Sequence, residues 1–275
     1  MKTVIQFYFK SLSFISPKMA AHSAFNIFQK VRKKGIRDRE KEFYNKARTY
    51  SIDFDPEPID VYEFGNPEHD IVILLHGWDS NAGCMYKIVD ALLQKDKRII
   101  SMNLPAHAFY KHSKTNLYVC KSAFKTFLSA LPKDKSISII SHSFGSAISG
   151  YALSELDLKI DQLVFLTSPN GIKDVFVEFK GIIALGNKAY QLLIKKAEHI
   201  LGEPLEHVKI QDKLKSVSFN HLHLFHDKND KVISYRNSIN IHSSIQNSSL
   251  YSYENIGHYR MLWHDELVTK IMGII

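Results

Sequence analysis

From residue 51 onward the chain alternates short apolar runs with longer stretches in which apolar residues recur every three or four positions. Residues 59–64 (IDVYEF) alternate as a half-buried strand does, whereas 71–75 (IVILL) are apolar throughout, as in a strand covered on both faces. Further strands are expected at 98–102, 137–140, 163–167, 222–225 and 250–253. Helical spacing falls near 85–94, 117–131 and 233–244, and a closing helix follows the last strand. This rhythm predicts an α/β domain with a mostly parallel, doubly wound sheet and helices on both faces. Two segments stand outside it. Residues 169–216 interrupt the alternation with helical spacing of their own (Val175, Phe176, Phe179, Ile182, Ile183, then Tyr190, Leu193, Ile194), which reads as a helical lid inserted between two strands. Residues 1–50 carry Phe7, Phe14, Ile15, Phe25, Ile27, Phe28 and Val31 among lysines, the spacing of amphipathic helices packed on the domain. The organisation expected is a helical extension over 1–50 and a domain over 51–275.

Charge sharpens that division. The net charge of +8 suggests a nucleic-acid partner until it is located: residues 1–50 hold twelve Lys/Arg against three Asp/Glu, and the remainder 24 against 25. The basic character therefore belongs to the extension, and no nucleic-acid partner is expected for the body. A solvated helix face is the plain reading of the basic segment. Weak contact with a membrane surface through its aromatic side is a second, and a salt-sensitive nucleic-acid arm a third. A signal peptide is disfavoured because Lys10 cuts the apolar run short. The two cysteines, Cys84 and Cys120, are too few for a disulfide framework and match no metal-ligand spacing. With no apolar run of about 18 residues, a cytoplasmic protein, peripherally membrane-associated at most, is expected.

The candidate chemistry lies at residues 136–146, SISIISHSFGS. A short apolar strand enters a turn of small residues, and a helical pattern follows at Ala147, Ile148 and Tyr151. Ser143 sits at the apex, with Ser141 two residues before it and Gly145 two after. Such a strained turn pushes a hydroxyl out of the sheet, and small flanking residues let strand and helix approach closely. A serine hydroxyl needs a base, and the base an orienting carboxylate. Both appear later: HDKNDKVIS at 226–234 offers Asp227 and Asp230, and ENIGHYRML at 254–262 offers His258 behind the flexible Gly257. His221 and His223 share one face of a strand but have no nearby acidic or cysteine partner, and read as structural.

Five motifs together, LLHGW at 74–78, LPAH at 104–107, SHSFGS, HDKNDKVIS and IGHYRML, resemble those of the α/β-hydrolase fold family, in its serine esterase and lipase branch, and span roughly 58–275. The resemblance implies a catalytic triad of Ser143, Asp230 and His258. Asp230 is preferred over Asp227 because Asp227 occupies the family's glycine position and Asp230 that of the acid. It further implies an oxyanion hole from the backbone N–H groups of Trp78 and Phe144, with His76, Gly77 and Gly145 shaping the supporting turns. Ser141 departs from the family's Gly-x-Ser-x-Gly elbow. The function expected is hydrolysis of an apolar carboxylic ester or thioester, with no cofactor and no metal. Acyl transfer on the same scaffold, or a binding protein that keeps the triad without chemistry, are the alternatives.

Overall fold

A computed structural model describes residues 2–33, 35–132 and 134–275. Three helices open the chain: α1 (Lys2–Ile15), α2 (Pro17–Phe28) and α3 (Asp38–Lys46). Strands β1 (Arg48–Ile52), β2 (Ile59–Phe64) and β3 (Ile71–Leu75) follow, then α4 (Tyr86–Leu93), β4 (Arg98–Met102), α5 (Leu117–Ser129), β5 (Ile137–His142), α6 (Phe144–Leu153) and β6 (Ile160–Leu166). The insertion carries α7 (Ile172–Ile183), α8 (Asn187–Leu201) and the single turn α9 (Ile210–Lys213). The chain closes with β7 (Phe219–Asp227), α10 (Arg236–Ser244), β8 (Ser248–Tyr253) and α11 (Asp265–Met272).

The eight strands form one sheet in the order β1-β2-β4-β3-β5-β6-β7-β8. Pairing is antiparallel for β1 with β2 and β2 with β4, and parallel elsewhere. β3 and β5 are buried along their whole length because helices cover both faces, which is why β3 reads as an unbroken apolar run and β5 carries only serines and a histidine among its isoleucines. One core cluster packs α5, α6 and α10 on one face, and a second packs α3, α4 and α11 on the other. Cys120 lies in the first cluster and Cys84 in the second.

The extension differs from the expected helices-only segment in one respect. Its last residues form β1, an almost wholly exposed edge strand that crosses the expected boundary at residue 51. RTYSI has no apolar alternation to mark it. Backbone pairing and the Arg48 guanidinium, 3.0 Å from Glu63, hold it instead.

A third apolar cluster is separate from the sheet. Phe9 of α1 and Ala20, Ala21, Ala24 and Phe25 of α2 pack against Phe176, Phe179, Ala189 and Leu193 of the insertion. Phe28 stacks on Phe176 with ring centres 4.3 Å apart. Polar ties join the same surfaces, since Ser13 Oγ accepts the Gly186 N–H at 3.0 Å and Gln6 Nε2 donates to the Ile182 carbonyl at 3.1 Å. The α2–α8 contact rests on alanines, which let the two backbones approach. Helices α1 and α2 and the insertion thus pack as one helical unit, while α3 and β1 belong to the body.

Candidate active site

Ser143 is the first residue after β5 and precedes the first residue of α6. Its φ of 52° and ψ of −121° lie where non-glycine residues are rarely found. The turn is held from both sides: the Ser143 N–H donates to the Leu166 carbonyl at 2.8 Å, and the Ser146 N–H to the Ser143 carbonyl at 2.9 Å. Gly145 must be glycine on packing grounds. A Cβ there would lie 2.5 Å from the Leu75 carbonyl oxygen and 2.6 Å from that of His76. Gly77 backs onto the elbow, where a Cβ would meet Ser143 Cβ at 3.0 Å. Ser141, in place of the family's first glycine, is fully buried, and its hydroxyl lies 2.6 Å from that of Ser149 on α6. The departure therefore adds a bond between strand and helix at a site with room for a hydroxyl.

The structure brings three of the sequence-selected residues together. The Ser143 hydroxyl donates to His258 Nε2 at 2.9 Å, and His258 Nδ1–H donates to Asp230 Oδ2 at 2.7 Å. The second oxygen of Asp230 accepts the N–H groups of Val232 (2.7 Å) and Ile233 (3.0 Å), which fixes the carboxylate and hence the imidazole tautomer. Burial pushes the Asp230 carboxyl up. Hydrogen bonds from His226 and His258, with the backbone donor of Val232, outweigh it and hold the group well below the ordinary carboxylate range.

Asp227 has a different partner set. Its Oδ1 accepts the Asn229 N–H at 2.8 Å, and its Oδ2 takes the N–H of Gly257. It ties the acid loop to the histidine loop without touching His258. Gly257 has a φ of 82° at the bend that turns His258 back toward the elbow, a conformation glycine adopts without strain.

His76 lies buried at the end of β3, its Nδ1–H donating to the Gly77 carbonyl at 2.8 Å and its Nε2 accepting the Leu104 N–H at 3.0 Å. Burial, helped by neighbouring His107, holds it well below the usual histidine value, so it shapes the turn as a neutral ring. Trp78 and Phe144 meet edge to face across the site with ring centres 5.1 Å apart. Phe144 opens α6, where first-turn N–H groups have no intrahelical acceptor.

Three supporting residues had no signal in the sequence. His142 Nε2–H donates to the His258 carbonyl at 3.1 Å, and burial, then the neighbouring His258, lowers its pKa to about 3. His226 is buried with Nε2 3.5 Å from Asp230 Oδ2 and 3.0 Å from the Ile233 carbonyl, while Ser238 Oγ lies 2.6 Å from its Nδ1. Asp79 Oδ1 accepts the N–H groups of Arg32 (2.7 Å) and Lys33 (3.4 Å), pinning the extension beside the Trp78 turn. All three depend on which way a side chain points across the fold, and nothing in local spacing encodes that. His221 and His223 are taken up in cross-strand contacts, with Ser249 Oγ at 2.9 Å and Gln162 Oε1 at 3.0 Å respectively.

A family model described as alpha/beta hydrolase fold matches residues 70–185, the segment from β3 through the elbow to the first insertion helix. The chain has the α/β-hydrolase fold. Methylesterase 8 of Arabidopsis thaliana is 27% identical over 99 residues, which cover 35% of this chain and 36% of that protein. The chain thus matches little more than a third of that relative's length. Among solved structures, an esterase of Pyrococcus furiosus superposes with a TM-score of 0.65 at 16% identity, covering 89% of this chain and 95% of that one. A thioesterase domain from the curacin biosynthetic pathway superposes with a TM-score of 0.61 at 13% identity, covering 82% and 98%. At these identities the structural likenesses speak for the fold.

Proposed function

We propose that this α/β-hydrolase-fold chain is a serine hydrolase that cleaves a small apolar carboxylic ester or thioester through an acyl-enzyme. The observation that carries the reading is the pair of hydrogen bonds, 2.9 Å and 2.7 Å, that join Ser143, His258 and Asp230 on a backbone turn that pushes the hydroxyl out of the sheet. Ser143 Oγ bonds to the acyl carbon while His258 Nε2 takes its proton, and Asp230 steadies the ring as it becomes charged. The N–H groups of Trp78 and Phe144 receive the oxygen that turns negative. When the tetrahedral adduct collapses, His258 returns the proton to the departing alcohol or thiol, and water repeats the sequence to free the acid. Fixed donors of this kind contribute about 3–4 kcal/mol to the transition state.

Esterase and thioesterase names among the similar proteins support the reaction class, and the aromatic walls of Trp78 and Phe144 support an uncharged substrate. The cap made by α1, α2 and the insertion is the lid in this reading, the insertion being braced by α1 and α2 rather than hanging free. No helix among the described residues is long and apolar enough to cross a membrane, and buried, unpaired Cys84 and Cys120 fit a reducing compartment such as the cytoplasm. A panel of p-nitrophenyl esters of graded acyl length tests the reading, run with and without an alcohol acceptor. Hydrolysis that Ser143→Ala abolishes supports it. Turnover that survives Ser143→Ala, or product found only as the transferred ester, contradicts it.

A further inference from the structure

Helix α1 is apolar on two sides. Phe9 and Leu12 pack against the insertion helices, and Phe9 is fully buried there. At 100° per residue, positions 4, 7, 8, 11, 14 and 15 share the opposite arc. Five of these six are large and apolar, and they stand in solvent: Val4 is 70% exposed, Phe7 73%, Tyr8 50%, Phe14 92% and Ile15 77%. Met19, just past the α1–α2 junction, is exposed as well. A soluble helix buries its one apolar stripe and shows polar residues outward. This helix has already buried one stripe and presents a second, so the outer one has no partner among the described residues.

Charge identifies the partner. The first 37 residues contain eight Lys/Arg and no Asp/Glu. Lys10 and Lys18 lie exposed beside the apolar arc. Neighbouring α7 carries both Lys173 and Lys180 and Asp174 and Glu178, so the sign of the field comes from α1 and α2. Two copies of this chain meeting across a two-fold axis would set the acid-free segment against itself. An anionic bilayer surface instead satisfies both features, with aromatic side chains among the acyl chains and lysines at the headgroups.

We propose that the outer face of α1 docks the protein on anionic lipid surfaces, with Phe7 and Phe14 as the inserted anchors. The proposal stands apart from the catalytic reading. The helix lies flat, its inner stripe still packed on α7, so the unit formed by α1, α2 and the insertion is the part of the molecule held against the bilayer.

The test is co-sedimentation of the full chain with phosphatidylcholine vesicles, with and without phosphatidylserine. Binding is expected to the anionic vesicles, weakening as salt rises. The double variant F7S/F14S should lower the partition coefficient at least about tenfold. Its melting temperature should be unchanged, because neither ring is packed inside the protein. K10E/K18E should weaken binding in the same direction. Three results would overturn the proposal: no binding to anionic vesicles, binding that F7S/F14S leaves unchanged, or a dimer that F7S/F14S splits, which would mean a second copy covers the face.

Discussion

Replacing Gly145 with alanine should separate catalysis from stability. The added Cβ would sit 2.5 Å from the Leu75 carbonyl oxygen, 2.6 Å from that of His76 and 3.0 Å from the Leu75 carbonyl carbon. All three are backbone atoms of β3 and its turn, so no side chain can swing aside. Carbon–oxygen contacts settle near about 3.3 Å, so the start of α6 and the end of β3 must part by roughly 0.8 Å. Overpacking of that size costs about 1–3 kcal/mol, which a domain of this size survives. Catalysis suffers more. Gly145 follows Phe144 and lies two residues from Ser143, so the proposed nucleophile and one proposed oxyanion donor move together, and a misplacement near 1 Å costs roughly a hundredfold in rate. The assay is kcat on a p-nitrophenyl ester beside a urea melt. Gly181→Ala in α7 is the control, since a Cβ there meets nothing within 4 Å. It should leave kcat alone and hold or slightly raise stability. A Gly145→Ala enzyme with wild-type kcat would refute the argument that the elbow is positioned by this contact.

Other substitutions read individual parts of the site. Asp230→Asn should lower kcat by about three to four orders of magnitude, because the imidazole loses the partner that fixes its tautomer. Asp227→Asn should mainly cost stability, about 1–3 kcal/mol from backbone donors left poorly paired, with a far smaller loss of kcat. The reverse order would exchange their roles. Ser141→Gly should stay active at a cost of about 1 kcal/mol for the lost tie to Ser149, while Ser141→Val should fail for lack of space. Acid stability follows from His142, whose folded pKa of about 3 lies below the unfolded value near 6.5. Unfolding takes up a proton in that window, so stability falls as pH drops from about 6.5 toward 3, by at most about 1.4 kcal/mol per pH unit for this group. Urea melts of His142→Gln should show a shallower slope over that range; an unchanged slope would mean the ring is charged in the native state.

How much of this was legible follows the physics of each segment. Strands at 59–64, 71–75 and 98–102 were readable to the residue because burial forces apolar side chains into them. β7 runs from Phe219 to Asp227, well past the expected 222–225, because its polar ends are satisfied by hydrogen bonds, His221 with Ser249 at one end and buried His226 and Asp227 with Ser238 and Asn229 at the other. Exposed β1 was invisible for a related reason: pairing alone defines it. Ser143, His258 and Asp230, picked out by the family pattern, lie within hydrogen-bonding distance of one another, whereas Asp227 bonds Asn229 and Gly257. The braces could not be picked out this way, since His142 and His226 act through ring direction. Nor could the union of extension and insertion be read, because contacts between residues such as Phe28 and Phe176 join segments with no shared local signal.

The central claim is that Ser143 is an activated nucleophile, and labelling of the folded chain with a fluorophosphonate probe tests it most directly. The geometry predicts covalent labelling of the wild type that disappears in Ser143→Ala and falls sharply in Asp230→Asn. A folded wild type that stays unlabelled, even after removal of the cap insertion, would contradict it.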